Sequence, residues 1–348
     1  MTMSLQPKRL GFFTRLLDQA GAGERYRVAT EQIVHAERHG FDSAWVAQHH
    51  FHAAEGGLPS PLVFLAHAAA RTSRIRLGTG IITLPLENPI RVAEDAVVLD
   101  LLSQGRLEVG VGTGGTPSSF TAFGLDSAHR SEIYERSLAT LRDAWNGRPL
   151  VGGDMLYPDA PHLNERVWQA TFSTWGGTRA GKAGDGLMLS RTQPRPKETP
   201  QATLAEIQHP IIDAYLEALP EGRAPRIVAS RSLFVADKPE DALRLAEVGL
   251  RRVARDFAAK GHVIPGDTLT DLIAALDTHV GAPEDVIESL SRDTTLPRVT
   301  DLVFQVHSVD PPHEYILRSI ELIAAEVAPA LGWRKPVETP EKRIALVR

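Results

Sequence analysis

From Arg9 to His307 short apolar runs alternate with amphipathic stretches, and this rhythm limits the fold more than any single motif does. The apolar runs are "RLGFFT" (9–14), "SAWVAQ" (43–48), "RIRLGTGIITL" (74–84), "RLEVGVGTG" (106–114), "ERVWQATF" (165–172), "GLMLS" (186–190), "RIVASRSLFVA" (226–236) and "TDLVFQVH" (300–307). Helical periodicity follows each of them, over 25–39, 61–71, 89–102, 133–145, 176–183, 203–219, 239–260 and 312–331. Asn88-Pro89 marks a helix start, with a capping side chain followed by proline in the first turn. Strands joined through helices pair in parallel, because a parallel pair needs a long crossover. Eight such units without an interdomain linker predict an α/β fold, a single (β/α)8 TIM barrel over 1–348, with insertions at 147–164 and 261–298.

Composition narrows the chemistry. The chain has 348 residues and a formal charge of −5, and hydrophobic residues make up 43%, enough for a large core without staples. Cysteine is absent, which excludes disulfides, thiolate metal sites and a cysteine nucleophile and fits a reducing, cytoplasmic location. We expect no signal peptide, no bilayer span and no nucleic-acid partner.

A barrel places its chemistry at the C-terminal ends of its strands, and three sequence stretches fall there. "WVAQHHFH" (45–52) holds His49, His50 and His52 just past the second strand. Adjacent side chains of an extended segment point different ways, so His49 and His50 are poorly arranged to share one metal. They stand as acid–base candidates, against a plain reading as loop histidines bonded to backbone. His35 and His39 are spaced i,i+4 on a helix and are read as a solvated face, so no metal site is expected. "GVGTGG" (110–115) matches G-x-G-x-x-G, but the dinucleotide fingerprint needs a helix opening directly after it. A turn-like segment from Thr116 through Gly124 is read there instead. "TFSTWGG" (171–177) ends the fifth strand; Ser173, Thr174 and the amides that follow can hold a phosphate at a helix N-terminus, or simply cap the helix.

Three longer stretches then agree. "HAERHGFDSAWVAQHHF" (35–51), "RIRLGTGIITLPLENPIRVAEDAVVLDLLSQGRLEVGVGTG" (74–114) and "AGDGLMLS" (183–190) resemble the bacterial-luciferase-like flavin-dependent monooxygenases. The resemblance covers most of 9–191 and implies a barrel, a homodimer and reduced flavin mononucleotide (FMN) as cosubstrate. It implies oxygen activation as a C4a-hydroperoxide on the flavin and attack on a small organic substrate; since no second nucleotide-binding domain is evident in the sequence, reduced flavin is expected from a separate reductase. It puts His49 on the family's catalytic histidine and His50 beside it. Thr79, Gly80 and Ile81 fall against the flavin ring, with a cis peptide at Gly80–Ile81. Gly112, Thr113 and Gly114 fall beside the ring, and Ser173, Thr174, Trp175, Gly176 and Gly177 fall on the phosphate. Gln48 and Phe172 stand where luciferase itself has glutamates, Thr113 stands for an arginine, and the reactive cysteine is missing. The resemblance therefore implies no light emission, and a phosphate held by amides and hydroxyls.

Two other readings use the same barrel: a deazaflavin-dependent dehydrogenase, and a flavin-binding barrel without turnover. Segment 190–203, segment 261–283 or both are expected to form a mobile lid; Arg191 and Arg195 could meet an anionic substrate or the flavin phosphate, and are read as solvated charges in preference. Helices 61–71 and 89–102 are apolar around more of their circumference than one barrel-facing stripe needs, which points to a two-fold dimer face that Ala69→Glu with Val97→Glu would break.

Overall fold

The computed structural model describes residues 7–195, 198–199, 201–259, 264–306 and 311–335. Its elements in chain order are β1 (Arg9–Thr14), α1 (Ala22–Arg38), β2 (Ser43–Val46), α2 (Pro61–Ala69), β3 (Arg76–Thr79), β4 (Ile82–Thr83), α3 (Pro89–Leu102), β5 (Leu107–Gly112), α4 (Pro117–Ala122) and α5 (Arg130–Trp145). There follow β6 (Val167–Thr171), α6 (Thr174–Lys182), β7 (Gly186–Leu189), α7 (Leu204–Ala218), β8 (Ile227–Val235), α8 (Pro239–Ala259), α9 (Leu269–Ala275), β9 (Thr278–Gly281), α10 (Pro283–Ser291), β10 (Asp301–Gln305) and α11 (His313–Leu322).

The strands close on themselves. They run β1-β2-β3-β5-β6-β7-β8-β10 with every pairing parallel, and β10 pairs back to β1 from Arg9 opposite Asp301 to Phe13 opposite Gln305. This is the eight-stranded barrel that the alternation predicts. Three details differ from the expectation. The third apolar run is two strands, β3 and β4, separated by a cis Gly80–Ile81 peptide, and β5 pairs with both. Segment 261–298 contributes β9, parallel to the outer half of β8, rather than helices alone. A six-residue helix, α4, occupies the segment read as a turn after "GVGTGG". The dinucleotide fingerprint at 110–115 still fails, because the sheet is closed rather than open.

Two cores hold the barrel. The larger lies between strands and helices and takes the alternate residues that point outward, such as Leu10, Phe12, Leu77, Val109 and Leu233. The smaller fills the inside with Trp45, Trp168, Val228 and Val303, against Phe13 and Met188. The two tryptophans meet edge to face at 5.8 Å. Neighbouring strands make room for them with glycine: a methyl on Gly78 would sit 2.2 Å from Trp45 Cε3, and one on Gly186 would sit 2.1 Å from Trp168 Cε3. Large rings beside missing side chains plug the barrel below its mouth, so the open space lies above, at the C-terminal strand ends. Among the described residues no helix is long and apolar enough to cross a membrane.

Candidate active site

A cavity of about 740 Å³ opens at that mouth, within the size range of cofactor pockets. Its walls come from the ends of β1, β2, β3, β5, β6, β7, β8 and β10.

The β2 wall carries the histidines. Gln48 leaves β2 buried and acts as a bracket: its amide nitrogen donates to Pro59 O (3.0 Å) and Glu87 Oε1 (2.6 Å), and its Oε1 accepts from Thr83 N (2.7 Å). Burial raises the Glu87 carboxyl, partly offset by that amide. The bracket sets where the next two residues stand. His49 donates its backbone N–H to Leu58 O (2.9 Å), and Gly56 packs on its imidazole so closely that a methyl there would lie 2.4 Å from Cδ2. His50 lies edge-on to Phe123 at 5.0 Å, and its Nε2 is buried without a hydrogen-bond partner among the described residues. Burial lowers its pKa, so the ring is neutral near neutral pH. Both histidines line the cavity. His52 does not; it faces Ser118 Oγ at 3.0 Å.

The floor is backbone. Gly80, Ile81, Gly112, Thr113 and Gly114 line the cavity, and a methyl on Gly112 would press on Ile81 Cδ1 at 2.9 Å. Thr79 does not reach it. Its hydroxyl is turned into the sheet, donating to Gly110 O (2.8 Å) and accepting from Gly110 N (2.9 Å), and it closes the gap where β3 leaves β5. The sequence placed Thr79 correctly at the strand end but could not tell which side of the sheet its hydroxyl serves.

The β6 wall is the capped start of α6. Ser173 Oγ accepts from Gly176 N (3.2 Å), and Ser173 N donates to Thr171 Oγ1 (3.1 Å). Ser173, Trp175 and Gly176 face the cavity; Thr174 and Gly177 do not. Gly177 instead packs on α7, where a methyl would lie 2.6 Å from Ile211 O. Arg179 stands above this helix start with its guanidinium 4.9 Å from the Trp175 ring, held by Gln169 Oε1 at 2.8 Å.

Several lining residues have no motif around them: Arg15, Glu55, Arg130, Arg179 and Arg191. Arg15 and Arg191 each sit just past a strand end, and that position was the available signal. Arg191 is not a solvated charge as the sequence reading held. Arg195 does leave the site, pairing with Asp277 at 2.5 Å and so joining the two segments read as a lid. Parts of those segments, and His307, lie outside the described residues. The one group of three metal-capable side chains among the described residues is His35, His39 and Glu321, on the outer helices and not in the cavity. There His35 Nε2 faces Glu321 Oε1 at 3.1 Å.

The family model for luciferase-like monooxygenases matches residues 10–295. The chain belongs to this family. A 4-hydroxyprotoasukamycin monooxygenase from Streptomyces nodosus subsp. asukaensis is 31% identical over 312 residues, 84% of this chain and 83% of its own. An F420-dependent glucose-6-phosphate dehydrogenase from Kineococcus radiotolerans is 30% identical over 198 residues, 53% of this chain and 57% of its own. Among solved structures, monooxygenase RslO1 from Streptomyces bottropensis aligns at TM-score 0.76 and 25% identity, covering 92% of this chain and 99% of that one. The oxygenating constituent of 3,6-diketocamphane monooxygenase from Pseudomonas putida, in complex with FMN, aligns at TM-score 0.73 and 20% identity, covering 93% and 98%. This member of the luciferase-like monooxygenases is thus an oxidoreductase built on the family's barrel.

Proposed function

We propose that the cavity holds reduced FMN and that the chain is the oxygenating component of a two-component monooxygenase. The observation that carries this reading is a single cavity shared by a backbone floor, a capped helix start and two histidines. Flat rings need close backbone approach, and Gly80, Ile81 and Gly112 offer it. Ser173, Trp175 and Gly176 at the start of α6, with Arg179 above them, suit the phosphate. Bound reduced flavin would supply the electrons for oxygen activation. His49, fixed by Leu58 O and Gly56, is the group that holds or passes a proton at that reaction. His50 lines the same space, and its Nε2 is buried without a hydrogen-bond partner among the described residues. The Pseudomonas putida relative is described as an oxygenating constituent, which supports a separate reductase as the source of reduced flavin.

A second copy of this chain is the proposed cover for the outer face of α2 and α3. Val63 on α2 and Val98, Leu101 and Leu102 on α3 are exposed, Val63 at 72%. Ala69 and Val97 prove to be buried, so the substitutions that probe this face are Val98→Glu and Leu101→Glu. They are expected to give monomers in sedimentation equilibrium where the wild type gives dimers.

The Kineococcus relative favours a second reading, hydride transfer to or from a deazaflavin. One experiment separates the two. Protein is loaded anaerobically with reduced FMN or reduced F420 and then mixed with oxygen. The first reading expects tight FMN binding and a delay before oxidised-flavin absorbance returns, longer than for free FMN. Tight F420 binding with no oxygen consumption would replace it with the second.

A further inference from the structure

The cavity's charges are unbalanced. Arg15, Arg130, Arg179 and Arg191 line it, and among the described residues Glu55 is the one carboxylate that does. Arg179 belongs to α6 and Arg130 begins α5. Arg15 and Arg191 belong to another arc of the barrel. Arg15 follows β1 directly; Arg191 follows β7 and leans across β8 and β10, donating through Nε to Gln305 Oε1 (2.8 Å) and through Nη1 to Ser232 Oγ (3.0 Å). Both partners of Arg191 are neutral. Its Nη2 makes no hydrogen bond among the described residues, and the side chain borders the cavity. Arg15 donates through Nη2 to Glu55 O, and its Nε is buried without a partner among the described residues. Glu55 attracts Arg15, while Arg252 repels it and Arg15 in turn repels Arg191.

We propose that Arg15 and Arg191 form a subsite for the anionic group of the organic substrate, a carboxylate or sulfonate, across the barrel from the glycine floor. A guanidinium stays charged at neutral pH and offers paired donors that match a planar oxyanion. Withdrawing such a charge from water is unfavourable unless a counter-charge meets it, and for Arg191 no carboxylate does so among the described residues. Burial, then repulsion from Arg15, pushes Arg191 down to about 9; burial pushes Arg15 down to about 10. An anion between them relieves both effects. The neighbouring walls suit an apolar body behind that anion: Phe13, Met188, Val228 and Val303 approach from β1, β7, β8 and β10. The substrate class is therefore a small apolar acid rather than a neutral hydrocarbon.

This assignment rests on the flavin reading only for what shares the cavity, and the test separates the two. Benzoate, benzenesulfonate and neutral benzamide are titrated calorimetrically into the full chain, with and without FMN. Wild type is expected to bind the two anions and not the amide. Arg191→Met should weaken the anions by about 10- to 100-fold, the range for losing a charged hydrogen bond, and Arg191→Lys should restore part of it. FMN and riboflavin affinities should change less than about threefold, since Arg191 leans from β7 toward β8 and β10 rather than toward β6 and α6. Equal binding of benzamide and benzoate overturns the proposal. So does a loss of FMN affinity in Arg191→Met with riboflavin unaffected, because the guanidinium then serves the cofactor phosphate. If FMN fails to bind wild type while benzoate binds and Arg191→Met abolishes it, the subsite stands and the flavin reading falls. Should Arg191→Met not fold, Arg15→Met and Arg191→Lys carry the same comparison.

Discussion

Arg231 and Arg191 both leave bulk water, and they are treated differently. Arg231 points from β8 into the layer between barrel and helices. It is fully buried and closed on all sides: Nε meets Asp293 Oδ2 at 2.6 Å, Nη2 meets Gln208 Oε1 at 2.9 Å, and Nη1 meets Ser230 O at 2.8 Å. Arg191, at the mouth, has two neutral partners and, among the described residues, no carboxylate. No solute reaches the shell, so the protein must supply its own counter-charge there. The mouth is where a charge can be left open for a ligand. The contrast separates structural from functional arginine by partners rather than by burial.

The largest expected effect is in the shell. Asp293→Ala strands Arg231 and should cost about 3–5 kcal/mol in urea unfolding, as breaking a buried pair does. A cost under about 1 kcal/mol would show that Arg231 does not depend on its carboxylate, and the comparison would lose its first half.

Next comes a residue of the mouth whose loss should leave the fold alone. His49→Ala is expected to slow substrate oxygenation by about 10²–10⁴-fold, the usual worth of a positioned acid–base group. Flavin affinity and unfolding midpoint should hold. Wild-type turnover in this variant would move the proton elsewhere.

The shell should also show itself in pH. Burial, with repulsion from Arg231 and partial compensation by Asp293, lowers His279 to about 4. The unfolded chain therefore binds a proton that the native state refuses between about pH 6.5 and that value, and stability falls as pH drops through the window. The loss is up to about 3 kcal/mol at roughly 1.4 kcal/mol per unit. His279→Gln should flatten this slope in urea melts at successive pH values. An unchanged slope would assign the acid sensitivity to other groups.

The smallest effect completes the contrast. Arg191→Met removes a charge that meets no carboxylate among the described residues and should change stability by less than about 1 kcal/mol, with a gain as the favoured sign. Destabilisation as large as that of Asp293→Ala would mean that Gln305 and Ser232 hold Arg191 as structure.

Much of the first half of the barrel was legible. "WVAQHHFH" and "RLEVGVGTG" end strands, and strand ends carry a barrel's site, so residue order alone puts His49, His50 and Gly112 at the mouth. Errors arose where direction matters. Thr79, Thr174 and Gly177 lie at the right strand and helix ends, but Thr79 faces the sheet, Gly177 faces α7 and Thr174 is exposed outside the cavity. Ala69 and Val97 have the apolar character of an outer patch but point inward. One residue of rotation reverses such an assignment, and alanine-rich helices carry little signal of phase.

Local periodicity and strand-end glycine by themselves determined the barrel, its order and the wall that bears His49 and His50. These signals are local, because hydrogen-bonding geometry repeats every few residues. The tertiary structure alone decided which charges meet. Arg191 and Arg195 share one polar stretch; closure of the barrel sends the first to Gln305 and Ser232 and the second to Asp277. Their partners come from distant strands and loops. Coulomb and hydrogen-bond energies depend on distance in space, which one chain's residue order does not contain.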